Sequence, residues 1–371
     1  MKEKQGAGGK GSKAGKIDQS EITVVLQGST LPVYGGKRCI ERSAFSVRQV
    51  MPRCQIIVST WEGEDIPQSV QGAVDKVIFN KDPGGFANRE GVKPNNVNRQ
   101  ILSSLNGLKQ VQTKYALKMR TDFVMKGTGF LKYFDVYNSF SENYRVFQKR
   151  LVCAMAGTGK PTEFFREPFR VSDFLNFGLT SDLLKLYDIP LMSDEDASWF
   201  TSRQELLSAK WSGKVTWRYF PEQHIWIGCL RKNGVDVKCQ YCIHYNDEIA
   251  EQSNRCLVNN FYPASYEKLG IYPLKTGLRG AETLFNIEFH WNREYIYYTK
   301  YEWLKLYKKY CDNSIRLPQC NWELFILIPI YTVYYSPVKY LKRAIRKLVK
   351  LIVGEGRYAW LKAHLKKAKA A

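Results

Sequence analysis

From Asn95 to Met125 the chain reads Asn-Asn-Val-Asn-Arg-Gln-Ile-Leu-Ser-Ser-Leu-Asn-Gly-Leu-Lys-Gln-Val-Gln-Thr-Lys-Tyr-Ala-Leu-Lys-Met-Arg-Thr-Asp-Phe-Val-Met. Ile101, Leu105 and Leu108 recur at helical spacing, and Gly107 with the polar run after it marks where that helix is expected to end. Tyr115 to Leu117 then starts a strand that runs straight into Lys118, Arg120 and Asp122. Buried charges must be paired or bound to something, so a carboxylate beside two cations at the carboxyl edge of a strand is a poor core element. It is a good place to hold a metal and a diphosphate.

The same alternation extends towards the amino terminus. An apolar strand from Ile22 to Leu26 leads to a helix around Ile40 to Val50, a strand from Gln55 to Thr60 and another from Lys76 to Phe79. Short strand-and-helix steps predict an α/β fold with a mostly parallel sheet flanked by helices. In such sheets ligands bind outside the carboxyl ends of the strands. Those ends here are Gln27-Gly28, Thr60-Trp61-Glu62, Asn80-Lys81-Asp82 and Arg120-Thr121-Asp122, so polar residues collect along the expected binding edge. No Gly-x-Gly-x-x-Gly follows the first strand and no Gly-x-x-x-x-Gly-Lys-Ser/Thr occurs, which disfavours dehydrogenase and phosphate-loop chemistry.

A chain of 371 residues, 44% of them hydrophobic, can bury a sizeable core. Its net charge of +21 implies anionic partners, whether membrane lipid, nucleic acid or a phosphorylated substrate. Nine cysteines, an odd number scattered from Cys39 to Cys320, do not resemble a disulfide framework, and no secretory signal opens the chain, so a reducing cytosol is expected. Cys239, Cys242 and His244 form a Cys-x-x-Cys-x-His cluster, but no second pair stands at zinc-finger spacing, and the plainer reading is buried thiols in a strand. The aromatics from Phe261 to Tyr310 read as core before they read as a carbohydrate-stacking platform.

Both ends are basic. Residues 1–19 are Gly, Lys, Ala and Ser with almost no large apolar side chain, and a disordered tail is expected. The apolar run from Leu324 to Tyr335 is shorter than the roughly 20 residues that span a bilayer, and Pro329 interrupts it, so it is expected to dip into a membrane without crossing. Beyond it Leu341, Ile345, Leu348 and Ile352 line one helical face, while Lys339, Lys342, Arg343, Arg346, Lys347 and Lys350 crowd the remainder. That is the pattern of a basic amphipathic helix lying on anionic lipid, with Tyr358 and Trp360 as interface anchors.

Several segments resemble, in family order, the WavE-type lipopolysaccharide-synthesis proteins, glycosyltransferases of GT-A character. They are Val24-Val25-Leu26-Gln27-Gly28, Ser43-Ala44-Phe45-Ser46-Val47-Arg48, Val58-Ser59-Thr60-Trp61-Glu62, Asn98-Arg99-Gln100, Lys118-Met119-Arg120-Thr121-Asp122, Ser172-Asp173-Phe174 and Pro221-Glu222-Gln223. The resemblance implies a GT-A-like, Rossmann-related domain over 20–290, followed by an aromatic-rich helical extension over 291–323 and a membrane-associating tail over 324–371. It implies transfer of a sugar from a nucleotide sugar to a growing, lipid-linked surface glycan of lipopolysaccharide or capsule type. Gln27, Gly28, Thr60 and Glu62 would line the base and ribose pocket, and Arg99 resembles the donor-side arginine. Asp122 occupies the metal-facing position of the usual Asp-x-Asp motif, where manganese or magnesium would sit. Arg120 stands where the first Asp would be, so Lys118 and Arg120 are candidates to neutralise the diphosphate directly.

Glycosyl transfer also calls for a base at the acceptor hydroxyl. Asp173, in the Ser-Asp-aromatic motif, is the first candidate. Glu222, just after the helix-opening Pro221, is the second. His244, His290 and Lys275 are candidates to complete a metal or diphosphate site from the distal part of the chain. The expected enzyme is cytoplasmic and peripheral on the inner face of the membrane, attracted to anionic inner-leaflet lipid. Other transferases on the same scaffold, moving a sugar-alcohol phosphate or a nucleotidyl group, would use the same pocket. A nucleic-acid partner is not expected, because the basic residues pile up beside apolar surface and no nucleic-acid-binding motif occurs.

Overall fold

The computed structural model describes residues 17–86, 94–163, 166–207, 212–213, 215–274 and 298–319. The expectations for the tail 1–16, for Lys275 and His290 and for the segment 324–371 lie outside these residues. The chain divides into two units, Met1–Leu317 and Pro318–Ala371, and every described element belongs to the first.

The amino-terminal elements are β1 (Ile22–Gln27), a hairpin of β2 (Val33–Tyr34) and β3 (Lys37–Arg38), α1 (Cys39–Val50), β4 (Gln55–Trp61), α2 (Gln68–Gln71) and β5 (Lys76–Asn80). Next come α3 (Val97–Lys109), β6 (Tyr115–Arg120), β7 (Phe123–Met125), β8 (Leu151–Ala154), β9 (Leu175–Leu179), α4 (Thr180–Tyr187) and α5 (Asp194–Ala197). The remainder is α6 (Pro221–Lys232), α7 (Asp247–Asn260), β10 (Phe261–Ala264), α8 (Tyr266–Leu269), β11 (Ile271–Pro273) and α9 (Lys300–Tyr310).

Seven strands form one sheet in the order β10-β8-β9-β6-β1-β4-β5. All run the same way except β9, which is antiparallel to both β6 and β8. The sheet is therefore mostly parallel and covered by helices, as the strand-and-helix alternation predicts. Every residue of β1 is buried, which is why its sequence is a near-continuous apolar run instead of an alternating one. On one face Ile40, Ala44 and Val47 of α1 and Trp303, Leu304 and Tyr307 of α9 pack with Val24, Leu26 and Met119. On the other, Ile101 and Leu108 of α3, Leu183 of α4 and Trp226 of α6 pack with Val25 and Phe261.

Arg150 locks α9 in place. Its guanidinium is buried and donates to the carbonyls of Tyr137 at 2.5 Å, Ser139 at 2.6 Å and Val258 at 2.6 Å. It also lies 4.2 Å from the Phe140 ring centroid and 4.9 Å from that of Tyr307. Carbonyl dipoles and aromatic faces thus satisfy the cation.

Two local expectations are corrected. Cys239 and Cys242 are buried thiols, but they lie in an irregular turn between α6 and α7 and not in a strand, because the Tyr219 hydroxyl and Arg231 pin the Cys239 carbonyl there. And α3 does not end at Gly107 but continues to Lys109. Gly107 sits where the helix rests on the sheet, and a Cβ there would stand 2.5 Å from Val25 Cγ1 and 3.1 Å from Ser59 Cβ. The glycine is a contact surface, not a stop signal. Gly107→Ala should therefore destabilise the fold by about 1–3 kcal/mol through overpacking, against the ~1 kcal/mol that alanine normally adds in a helix interior. A urea unfolding midpoint at or above that of the parent would show that α3 is not held this close.

Candidate active site

The carboxyl ends of β1, β4 and β6 open into a cleft of about 570 Å³, a volume within the range of small-molecule sites. Its wall at β1 is Gln27 and Gly28, and Gly28 takes a φ of +110° that a side chain would resist. The chain turns away there, while the Gln27 side chain is fixed by the Ser103 hydroxyl at 2.8 Å and its carbonyl accepts from Thr121 N at 3.1 Å. Trp61 closes the side at β4.

Of the two residues expected from the turn after β4, neither lines the cleft. Thr60 is buried behind the wall and Glu62 points into solvent, because the turn through Gly63, at φ +82°, carries the chain past the edge before it comes back. Glu64 lines the cleft instead. One of its oxygens accepts from Ser29 Oγ at 2.5 Å, and the other from Thr30 N at 2.8 Å, Thr30 Oγ1 at 3.0 Å and Thr60 Oγ1 at 2.6 Å. Partial burial alone would raise its pKa, but these donors together hold it below the usual value. The side chain organises the whole Gly28–Leu31 turn, and the clustered hydroxyls at Ser29, Thr30 and Thr60 were the signal for it in the sequence.

Two arginines face the cleft, each held by a carboxylate. Arg99 of α3 makes a two-pronged pair with Asp82, 2.7 Å on both arms, and a third bond to Asn96 Oδ1 at 2.8 Å. Its hydrogen bonds hold the Asp82 carboxyl below the ordinary range. Arg120, at the end of β6, grips both oxygens of Asp122 at 2.9 Å and 2.8 Å and lies 5.7 Å from the Phe174 ring centroid. Bidentate pairing of this kind presets the guanidinium plane.

Lys118 does not reach the cleft. It is fully buried, donates to the backbone carbonyl of Asp173 and sits 5.1 Å from the Tyr187 ring centroid. Burial drives its pKa down, partly opposed by Asp173. The lysine lies beneath the floor and supports Asp173.

Asp173 and Glu222 both line the cleft, next to Phe174 and Pro221. Burial raises the Asp173 pKa to about 6, the negative charge of Glu222 adds to the rise, and Lys118 and Arg120 oppose it. Glu222, in the first turn of α6, lies 3.5 Å from Arg170, which also pairs with the buried Glu167. Arg170 was not expected from sequence, and its place between the two glutamates depends on the approach of α6 to the loop before β9.

The fit of a metal is poor among the described residues. No three His, Cys, Asp or Glu side chains there are grouped to hold an ion, and both oxygens of Asp122 are taken by Arg120. At the Cys-x-x-Cys-x-His cluster, Cys239 Sγ donates to the Tyr241 carbonyl at 3.3 Å and the His244 ring stacks on Tyr241 at 4.9 Å, so neither is arranged as a ligand.

A profile of the WavE lipopolysaccharide synthesis family matches residues 22–333, a span that contains every cleft residue from Gln27 to Glu222. The chain belongs to the WavE family. Its family is one of lipopolysaccharide synthesis. No curated protein matches the sequence. Among solved structures, 4-diphosphocytidyl-2C-methyl-D-erythritol synthase of Anaerococcus prevotii is 13% identical, covering 49% of this chain and 84% of its own, with a TM-score of 0.28. The glycosyltransferase GlyE of Streptococcus pneumoniae is 14% identical, covering 57% of this chain and 43% of its own, with a TM-score of 0.27. A cytidylyltransferase of Leptospira borgpetersenii is 12% identical over 50% of this chain and 73% of its own, with a TM-score of 0.29.

The two neighbouring glutamates separate cleanly. Glu62→Ala should leave stability near the parent value. Glu64→Ala should cost about 1–2 kcal/mol by releasing the turn at Ser29. Thermal denaturation of the pair checks this, and equal effects of the two changes would count against the assignment.

Proposed function

We propose that the cleft binds a nucleotide sugar in a GT-A-like manner and transfers the sugar to a growing lipopolysaccharide glycan, with Asp173 as the base. The observation that carries this reading is the Asp173 carboxylate. It lines a cleft shared with two bidentate arginines, and its proton affinity is raised towards neutrality. A base of that strength can be ionised at cytoplasmic pH and still accept a proton from an acceptor hydroxyl.

The step is a single displacement. Asp173 takes the proton as the acceptor oxygen attacks the anomeric carbon, and the bond from that carbon to the diphosphate breaks. Arg99 and Arg120 face the leaving nucleoside diphosphate, whose gain of charge their fixed forks favour. Glu222, held by Arg170, raises the basicity of Asp173 by its charge. Transfer of a nucleotidyl group to a sugar phosphate is less well supported. Its nucleophile is already ionised, so it would leave Asp173 without a task.

Asp173→Asn should lower turnover by on the order of 10²–10⁴ while donor affinity stays within a few-fold. Because the folded pKa is raised, activity should fall as pH drops through about 6, where Asp173 becomes protonated. A pH–rate profile reads this limb. Near-normal turnover by the Asn variant removes Asp173 from the role, and a large loss in Glu222→Gln alone moves the role to Glu222.

The same proposal places the enzyme on the inner leaflet, acting on a lipid-linked acceptor. Its support is the sequence of 324–371, with a short apolar run beside a basic amphipathic pattern. Among the described residues no helix is long and apolar enough to cross a membrane. Full-length protein should float with anionic vesicles and not with neutral ones, and truncation after Leu317 should abolish flotation while nucleotide binding survives. Failure of the full-length protein to float with anionic vesicles would sink this part.

A further inference from the structure

Behind Asp173 lies a second, much smaller chamber, with about 10 Å³ of room for the centre of a water molecule. Its polar walls are Ser172, Asp173, Asn176, Tyr187, Glu222 and Trp226, and apolar side chains close the rest. Among these residues Asp173 Oδ1 and Trp226 Nε1 are sealed from solvent with no hydrogen-bond partner in the protein, and so is Ser172 Oγ, which lies beside Gly157. Asp173 lines both the open cleft and this chamber.

An unpaired buried polar atom costs on the order of 1–3 kcal/mol, so groups of this kind are satisfied by water where the protein offers no partner. The chamber has room for the centre of one water and polar residues in its lining. We propose that one water occupies this chamber, accepting from Trp226 Nε1–H and donating to Asp173 Oδ1, so that Trp226 and Ser172 are positioning residues for the base.

The orientation is forced. An indole can only donate and a carboxylate can only accept, so the water must pass its own hydrogen to Asp173. Ser172 Oγ takes up whichever role remains. A hydrogen bond donated to the ionised form favours that form, so the water lowers the proton affinity that burial and Glu222 raise. The other groups facing Asp173 are Lys118 and Arg120 from β6, Asp122 beyond it, Gln100 from α3, Tyr187 from α4 and Glu222 from α6 with Arg170 behind it. None of these is altered when the indole nitrogen is removed.

The effect on turnover rests on Asp173 being the base; the effect on its titration does not. The test is carboxyl ¹³C NMR of full-length protein, with Asp173→Asn to assign the signal. In Trp226→Phe the Asp173 midpoint should rise by about one pH unit, and in Ser172→Ala it should rise by less. The acid limb of kcat should move with it while the donor KM stays put, which a merely structural loss would not produce. A crystal structure of the wild-type protein should show one water bridging Trp226 Nε1 and Asp173 Oδ1. An empty chamber overturns the proposal even if Trp226→Phe fails to fold, and so does an unmoved midpoint in the folded variants. A shifted midpoint together with normal turnover by Asp173→Asn would keep the water and reject the base.

Discussion

Lys118 is an ammonium group with no contact to solvent, and the geometry of the cleft depends on how it is satisfied. A buried cation without partners would cost several kcal/mol, so the chain must bring an acceptor to it. The acceptor is the backbone carbonyl of Asp173, with the face of Tyr187 alongside. Pinning that carbonyl fixes the loop before β9 over the end of β6, and the side chain of Asp173 is then left facing Arg120 and Glu222 across the cleft. One hydrogen bond beneath the floor thus decides where the acid stands above it.

The inserted strand β9 makes this possible. Because it runs against β6 and β8, its amino end lies at the carboxyl edge where the other strands finish. Asp173 and Phe174 therefore enter the cleft from just before the start of a strand, while Gln27, Trp61 and Arg120 enter from the ends of theirs. A sheet parallel throughout would carry the residues before β9 to the opposite edge. The rule that ligands sit at the carboxyl ends of parallel strands is kept, with one reversed strand supplying the proposed base.

The sequence made β1, β4, β5 and β6 readable because strands buried on both faces must be apolar along their length, and the polar residues at their ends marked the cleft. It did not distinguish Lys118 from Arg120, since alternation puts them on the same face of β6. Lys118 is flanked by Val25 on one side and Asn176 on the other, whereas Arg120, paired with Gln27 of β1, lies beyond the last residue paired with β9. That difference is set by strand order, which local pattern does not encode. Glu64 is missed in favour of Glu62 for a similar reason, because a turn at Gly63 exposes the first glutamate and returns the second to the hydroxyls of Ser29 and Thr30, more than thirty residues away. At Gly107 the usual helix-breaking role of glycine is overridden by the close approach to Val25 and Ser59, which is a tertiary fact.

Charge is distributed in a way that the net value of +21 does not suggest. The cleft is lined by Glu64, Asp82, Asp122, Asp173 and Glu222 but by two guanidinium groups, Arg99 and Arg120. Each carboxylate nevertheless has its own partner: hydroxyls at Glu64, Arg99 at Asp82, Arg120 at Asp122, Arg170 at Glu222 and Lys118 near Asp173. An anionic donor therefore meets arginines that can exchange one anion for another, and the half-exposed pair of Arg99 with Asp82 gives up less on exchange than Arg120 does with the buried Asp122. On the proposed reading, this ordering would give Arg99 the first contact with the diphosphate and Arg120 the charge that develops later, nearer the reacting carbon. The lining of the cleft is thus acidic on balance, and the excess positive charge of the chain is not found there.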